Sequence, residues 1–230
     1  MTDLPGKAIH DFHFTKNRKK LFVHDMFGPK VEMPVSYYFR NFKKMPELEQ
    51  KAIGLCRGKI LDIGAAAGSH ALEIQRKGFD VTALEISPAA CDVMKDRGLS
   101  QVVCEDFFKY DGEKYDTLLL LMNGIGISFT LSGFRNFLKK TASLLNPGGQ
   151  IIFDSCNIAY MYEDIEMPSS HYYGEVKCRY EYDKQLTDWF QWLYLDSKTM
   201  TKIANEENWH SDIVFEDEND QYLAVLSRKE

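Results

Sequence analysis

Lys59-Ile60-Leu61-Asp62-Ile63-Gly64-Ala65-Ala66-Ala67-Gly68-Ser69-His70 is the stretch that decides the fold class of this chain. A short apolar strand ends at an acidic residue, and a small-residue turn then leads into a helix. Such a turn brings backbone amides and the positive end of a helix close to a nucleotide-like ligand with no side chain in the way. About twenty residues on, a second apolar strand, Val81-Thr82-Ala83-Leu84, stops at Glu85, the spacing at which an open parallel sheet puts the acid that grips a ribose. The pattern predicts a nucleoside cofactor and leaves the substrate unread.

Working outward, strand and helix alternate. Strand 59–63 leads to helix 68–77, closed by Gly78, and strand 80–85 leads to helix 88–96. Ser87-Pro88 supplies that helix with a cap and a first residue. Strand 101–104 follows, then Tyr115 to Met122, whose Leu118-Leu119-Leu120-Leu121 is apolar on both faces as a central parallel strand requires. Helix 131–145 stops at Asn146-Pro147-Gly148-Gly149, before strand 150–155. Repeated units of this kind predict a mostly parallel α/β sheet with helices on both faces. A helix near 196–207 precedes strands 211–216 and 221–228, whose short acidic link Glu216-Asp217-Glu218-Asn219-Asp220 forces an antiparallel pair.

Two segments lie outside this alternation. Residues 172–183 and 187–195 alternate aromatic and polar residues and read as an inserted β-hairpin. The first fifty residues are aromatic-rich and irregular, with Phe12, Phe14, Phe22, Phe27, Tyr37, Tyr38, Phe39 and Phe42 among Gly and Pro breaks, before Met45-Pro46 opens a helix through Cys56. The expected organisation is an N-terminal cap over 1–50 and a main domain over 51–230.

Composition narrows the function. The 230 residues carry a net charge of −6 with pI near 5.6, which argues against a large nucleic-acid footprint. The one basic cluster, Lys16-Asn17-Arg18-Lys19-Lys20, suits a solvated face or an anionic substrate. Five cysteines are widely spaced without a CxxC pair, no apolar run is long enough to span a bilayer, and no signal peptide precedes the first charges, so the expected compartment is the cytoplasm. His10 and His13 lack a third neighbour for a metal, and no metal is expected.

Taken in order, Asp62-x-Gly64-x-Ala66-x-Gly68, Glu85, Glu105-Asp106-Phe107, the Leu-rich strand into Asn123, and Leu145-Asn146-Pro147-Gly148-Gly149 resemble the successive motifs of class I S-adenosylmethionine-dependent methyltransferases. The resemblance covers residues 59 to 155. It implies a Rossmann-like, mostly parallel seven-stranded sheet with an antiparallel last strand. It also implies roles. Gly64, Ala65, Ala66 and Gly68 pass under the methionine and ribose portion. Asp62 orders that loop or reaches the amino-acid group through water. Glu85 accepts from the ribose hydroxyls, Ile86 presses on the adenine, Asp106 receives its amino group and Phe107 lines the ring pocket. Asn123 and Gly124 face the reactive sulfonium. The family usually has glycine where Ala66 sits, and alanine is tolerated there if φ is negative.

The expected activity is methyl transfer to a small molecule, with no catalytic residue singled out and the oligomeric state unread. The run Asn123-Gly124-Ile125-Gly126 lacks the prolines and aromatic of the motif that holds a target nitrogen in amino-group methyltransferases. An NAD-dependent oxidoreductase and a non-catalytic scaffold of the same fold stand as alternatives. His70 suits cofactor contact and packing equally, and Arg40 suits a surface position or a carboxylate clamp. The aromatic residues of the N-terminal segment and the hairpin suit a substrate chamber or ordinary core.

Overall fold

The computed structural model describes residues 2–15 and 19–229, so Lys16, Asn17 and Arg18 of the basic cluster lie outside the described residues. In chain order the elements begin with α1 (Leu4–His10), β1 (Leu21–His24), β2 (Val31–Met33), α2 (Glu47–Leu55), β3 (Ile60–Ile63) and α3 (Ser69–Arg76). There follow β4 (Val81–Glu85), α4 (Pro88–Asp96), β5 (Val102–Cys104), β6 (Tyr115–Leu120), α5 (Leu131–Leu144) and β7 (Leu145–Cys156). The series ends with β8 (Glu175–Tyr182), β9 (Gln185–Leu186), β10 (Phe190–Leu193), α6 (Ser197–Glu206), β11 (Trp209–Glu216) and β12 (Gln221–Arg228). A seven-stranded sheet has the order β11-β12-β7-β6-β3-β4-β5, and a smaller sheet has β10-β8-β1-β2 with β9 on β8. The chain divides into two compact units: the N-terminal segment to Met45 with Asp62–Tyr110 and Lys177–Phe190, and Pro46–Leu61 with Asp111–Val176 and the C-terminal segment from Gln191.

In the first unit the strand ends follow the sequence closely. β4 is buried along its length and pairs in parallel with β5, Glu85 opposite Cys104. Ser87 caps α4 by accepting the Ala90 amide, with Pro88 at its first position. Asp3 does the same for α1, accepting the Gly6 amide at 2.8 Å.

The N-terminal segment departs from expectation. It is not irregular: α1, β1 and β2 form, and β1 pairs antiparallel with β2 on one side and β8 on the other. Leu4, Ala8, Ile9, Leu21 and Val35 make one buried cluster with Ala67, Val93 and Tyr182. Strands of four and three residues are too short to show a period, and β8, the second partner of β1, is far along the chain. The inserted hairpin is present, turning through Asp183 and Lys184, both at positive φ (50° and 63°), the conformation that a two-residue hairpin loop needs.

In the second unit Leu118, Leu119 and Leu120 of β6 are fully buried, beside the parallel strand β7. β12 enters antiparallel to β7 and carries β11 antiparallel on its other edge, so the last strand is the inserted one. α5 turns Phe134, Phe137 and Leu138 inward. Here the Asn146-Pro147-Gly148-Gly149 turn is absorbed into β7: Leu145 already pairs with Tyr115, and the register shifts before Thr117. Gly148 at φ 73° provides the local kink. No helix among the described residues is long and apolar enough to cross a membrane.

Candidate functional site

Glu85 ends β4 and is 9% exposed. Its Oε2 accepts the Ala66 amide at 2.8 Å, and its Oε1 accepts the Ser87 amide at 3.0 Å. Burial raises its pKa, the two amides lower it, and Asp3 nearby raises it. The loop leaving β3 is pinned to the same strand, since the Gly64 and Ala65 amides both donate to the Leu84 carbonyl (2.8 and 3.3 Å). Gly64 has φ 73° and nothing within 4 Å of where a side chain would begin, so backbone is openly presented there. Gly68, at φ 77°, packs against Met94, which a Cβ would meet at 2.9 Å.

Ala66 overturns the condition set from sequence: its φ is 51°, not negative. An L-residue in this region carries roughly 1–2 kcal/mol of strain. The Glu85 carboxylate on its amide holds it there, and its side chain packs against the buried cluster that includes Ala67.

Asp62, 2% exposed, presents an Oδ2 that accepts no hydrogen bond among the described residues. Burial pushes its carboxyl up to about 6, against the pull of His70 and the Ala71 amide. His70 is itself buried on the first turn of α3. The ordinary value for an aspartate is near 4.

Three other expected residues share this unit. Ile86 is 67% exposed between two buried neighbours, an apolar side chain held out at the strand end. Asp106 accepts the Phe108 amide at 3.0 Å, and Phe107 is buried with its ring edge-on to Phe108. Asn123 and Gly124 belong to the second unit, just past β6. Met122 and Asn123 both take positive φ (60° and 56°), and Asp154 binds the Asn123 amide through both oxygens (3.1 and 3.0 Å). The Asn123 side chain accepts from Ser155 at 2.7 Å and donates to the Leu193 carbonyl at 3.2 Å, so its amide is held at both ends.

Sequence reasoning missed several partners. Ser87 was read only as a helix cap, yet its hydroxyl also donates to Asp3 at 2.5 Å. Ser69 donates to the Tyr38 carbonyl at 2.6 Å, and Arg97 donates to the Ala67 carbonyl. The Tyr38 phenol is pushed up to about 12 by burial and by Glu85. Ser87-Pro88 carried a signal; Arg97, a helix-end arginine, carried none. Arg40 stacks on Tyr37 with its guanidinium 5.2 Å from the ring. Lys19 and Lys20 pair with Asp183 and Glu32. His13 pairs with Asp96 at 2.7 Å, and among the described residues no group of three or more His, Cys, Asp or Glu could hold a metal ion.

A S-adenosylmethionine-dependent methyltransferase from Bacteroides fragilis, crystallised with S-adenosyl-L-homocysteine, is 37% identical to this chain. The alignment covers 99% of this chain and 95% of that one, with a TM-score of 0.92. The chain belongs to the S-adenosylmethionine-dependent methyltransferases. The family profile described as Methyltransferase domain matches residues 60–149, the span that holds the turn, Glu85, Asp106 and Asn123. A demethylmenaquinone methyltransferase from Tropheryma whipplei is 24% identical over 108 residues, 44% of each chain. A ubiquinone biosynthesis O-methyltransferase from Histophilus somni is 23% identical over 158 residues, 63% of this chain and 65% of the relative. The chain thus spans less than two thirds of the length of these two relatives.

The residues present fit the family's cofactor. Two buried carboxylates, one with an oxygen that accepts no hydrogen bond among the described residues, suit the hydroxyls and the cationic amino-acid group of such a nucleoside. The open backbone at Gly64 and the bared Ile86 suit its close approach and its base.

Replacing Ala66 by Gly should raise the unfolding free energy by about 0.5–1 kcal/mol, because relief of strain exceeds the added chain entropy. The same exchange at Ala52 in α2 should lower it by about 1 kcal/mol. Urea denaturation of the two variants distinguishes them. Asp62 gives a second test. Its folded pKa lies above its unfolded value, so the native state binds more protons between about pH 4 and pH 6, and its contribution to stability is lost as pH rises through that window. Asp62→Asn should remove that loss, worth up to about 3 kcal/mol, when denaturation is compared from pH 4 to pH 7.

Proposed function

We propose that this protein transfers the methyl group of S-adenosylmethionine to a small-molecule acceptor. The observation that carries the reading is Glu85: a buried carboxylate at a strand end, fixed by one amide from the small-residue turn and one from the next helix. Each of its oxygens retains a lone pair for a ribose hydroxyl. Asp62 is suited to the cationic amino-acid end, directly or through water. Gly64, Ala65, Ala66 and Gly68 supply the floor, Ile86 covers the adenine, and Asp106 with Phe107 takes its amino edge and face. Asn123 and Gly124 keep the assignment to the methyl-bearing end that the resemblance gives them.

S-adenosylmethionine, when bound, supplies a methyl group on a positively charged sulfur that an acceptor nucleophile displaces. The chain's own work is to hold the nucleoside, orient the acceptor and exclude water. No side chain is assigned as a base. The relatives named for demethylmenaquinone and for ubiquinone biosynthesis support a small-molecule acceptor, as does a net charge of −6 that disfavours nucleic acid. The cytoplasmic assignment rests on cysteine usage.

Calorimetry tests the reading. S-adenosylhomocysteine should bind and NAD should give no binding heat. Glu85→Ala should weaken S-adenosylhomocysteine by about 10–100-fold, as expected for lost hydrogen bonds to a charged group. Equal affinity in the variant would remove Glu85 from the site. Incubation with methyl-labelled S-adenosylmethionine and a small-molecule metabolite fraction should then yield a labelled product; label appearing only in protein would overturn the acceptor class.

A further inference from the structure

Two cysteines converge on the backbone of Glu85 and Ile86. Cys91, on α4, donates its thiol to the Glu85 carbonyl at 3.6 Å. Cys104 ends β5 opposite Glu85 and directs its thiol to the Ile86 carbonyl at 4.0 Å. The two thiols thus sit on adjacent carbonyls, and each is among the groups that act electrostatically on the other. Cys91 is buried and Cys104 is exposed, and both are free.

We propose that Cys91 and Cys104 form a reversible disulfide that disturbs the Glu85-Ile86-Ser87 backbone and so makes cofactor affinity sensitive to peroxide. The affinity part rests on the cofactor reading above. The exposed thiol is the one that meets the oxidant. The Cys104 sulfur attacks one peroxide oxygen, an S–O bond forms and the O–O bond breaks, and the departing hydroxide leaves as water with the thiol proton. The Cys91 sulfur then attacks Cys104, the S–S bond forms and the S–O bond breaks, and a second water carries away the Cys91 proton. Two thiols and one peroxide thus become one disulfide and two waters. Burial, together with Cys104 and Glu85, pushes the Cys91 thiol up to about 12, so the second step must remove its proton as the S–S bond forms and is the slower of the two.

The structural consequence follows from bond length. Sulfurs now directed at the Glu85 and Ile86 carbonyls must close to about 2 Å from each other. Both thiol donors disappear, and the Glu85 and Ile86 carbonyls lose them. Ser87, whose amide fixes the Glu85 carboxylate and whose hydroxyl holds Asp3, sits one residue further along.

The experiment treats the full chain with hydrogen peroxide and maps its peptides under non-reducing conditions. A peptide containing Cys91 linked to one containing Cys104, and separated by dithiothreitol, is expected. Affinity for S-adenosylhomocysteine is measured first on reduced protein and should then fall about tenfold on oxidation, the scale of one lost hydrogen bond, and return with dithiothreitol. Cys104→Ser should keep the reduced-protein affinity in peroxide. Absence of the linked peptide, a linked peptide with unchanged affinity, or an equal loss in Cys104→Ser would each overturn the proposal. Reduced protein that fails to bind S-adenosylhomocysteine would instead refute the cofactor reading and the affinity switch with it, while the peptide map still answers whether the disulfide forms.

Discussion

The first unit is organised by one carboxylate. Burying Glu85 removes it from water, a cost that two backbone amides offset in part, one on each oxygen. Those amides come from different elements, the turn after β3 and the entry to α4. The strand end, the turn and the helix start are therefore fixed relative to one another by the same side chain. Ser87 extends the arrangement: its hydroxyl caps α4 and binds Asp3, which caps α1. Removing Glu85 would leave the Ala66 and Ser87 amides without these acceptors, so the local order of the strand end, the turn and the helix start depends on it.

The small residues at 65–67 serve two neighbours. Ala67 is fully buried in the cluster that α1, β1 and Tyr182 build, and a larger side chain would have no space there. Ala66 accepts a left-handed backbone so that its amide can reach Glu85. Strain at one residue is exchanged for a hydrogen bond to a charged group, which is the larger of the two quantities. Arg97 closes the arrangement by donating to the Ala67 carbonyl.

The alternating strands and helices were legible because each carries its own local signal. Ser87-Pro88 marks a helix start, Gly78 marks an end, and four consecutive leucines mark a strand buried on both faces. The antiparallel close was legible from the length of an acidic link. What was hidden depends on distant partners. β1, on which β2 pairs, is held on its other edge by β8, more than 150 residues away, and no local period reports such pairing. The positive φ at Ala66 goes with a hydrogen bond to Glu85, nineteen positions later. Of the candidate site, the acidic strand ends and the glycines stood out by spacing, whereas the burial of Asp62 Oδ2 away from any hydrogen-bond donor among the described residues and the contact of Arg97 with the Ala67 carbonyl are properties of packing alone.

β12 lies between β7 and β11 although it is synthesised after both. Leu223, Ala224 and Leu226 are fully buried, so the gap it fills is apolar and cannot stay open to water without cost. During translation β7 must therefore wait with a bare edge until the ribosome has released the strand that covers it. The order of synthesis and the order of the sheet disagree at this point, and for that interval β7 offers the nascent chain's own neighbours a pairing template.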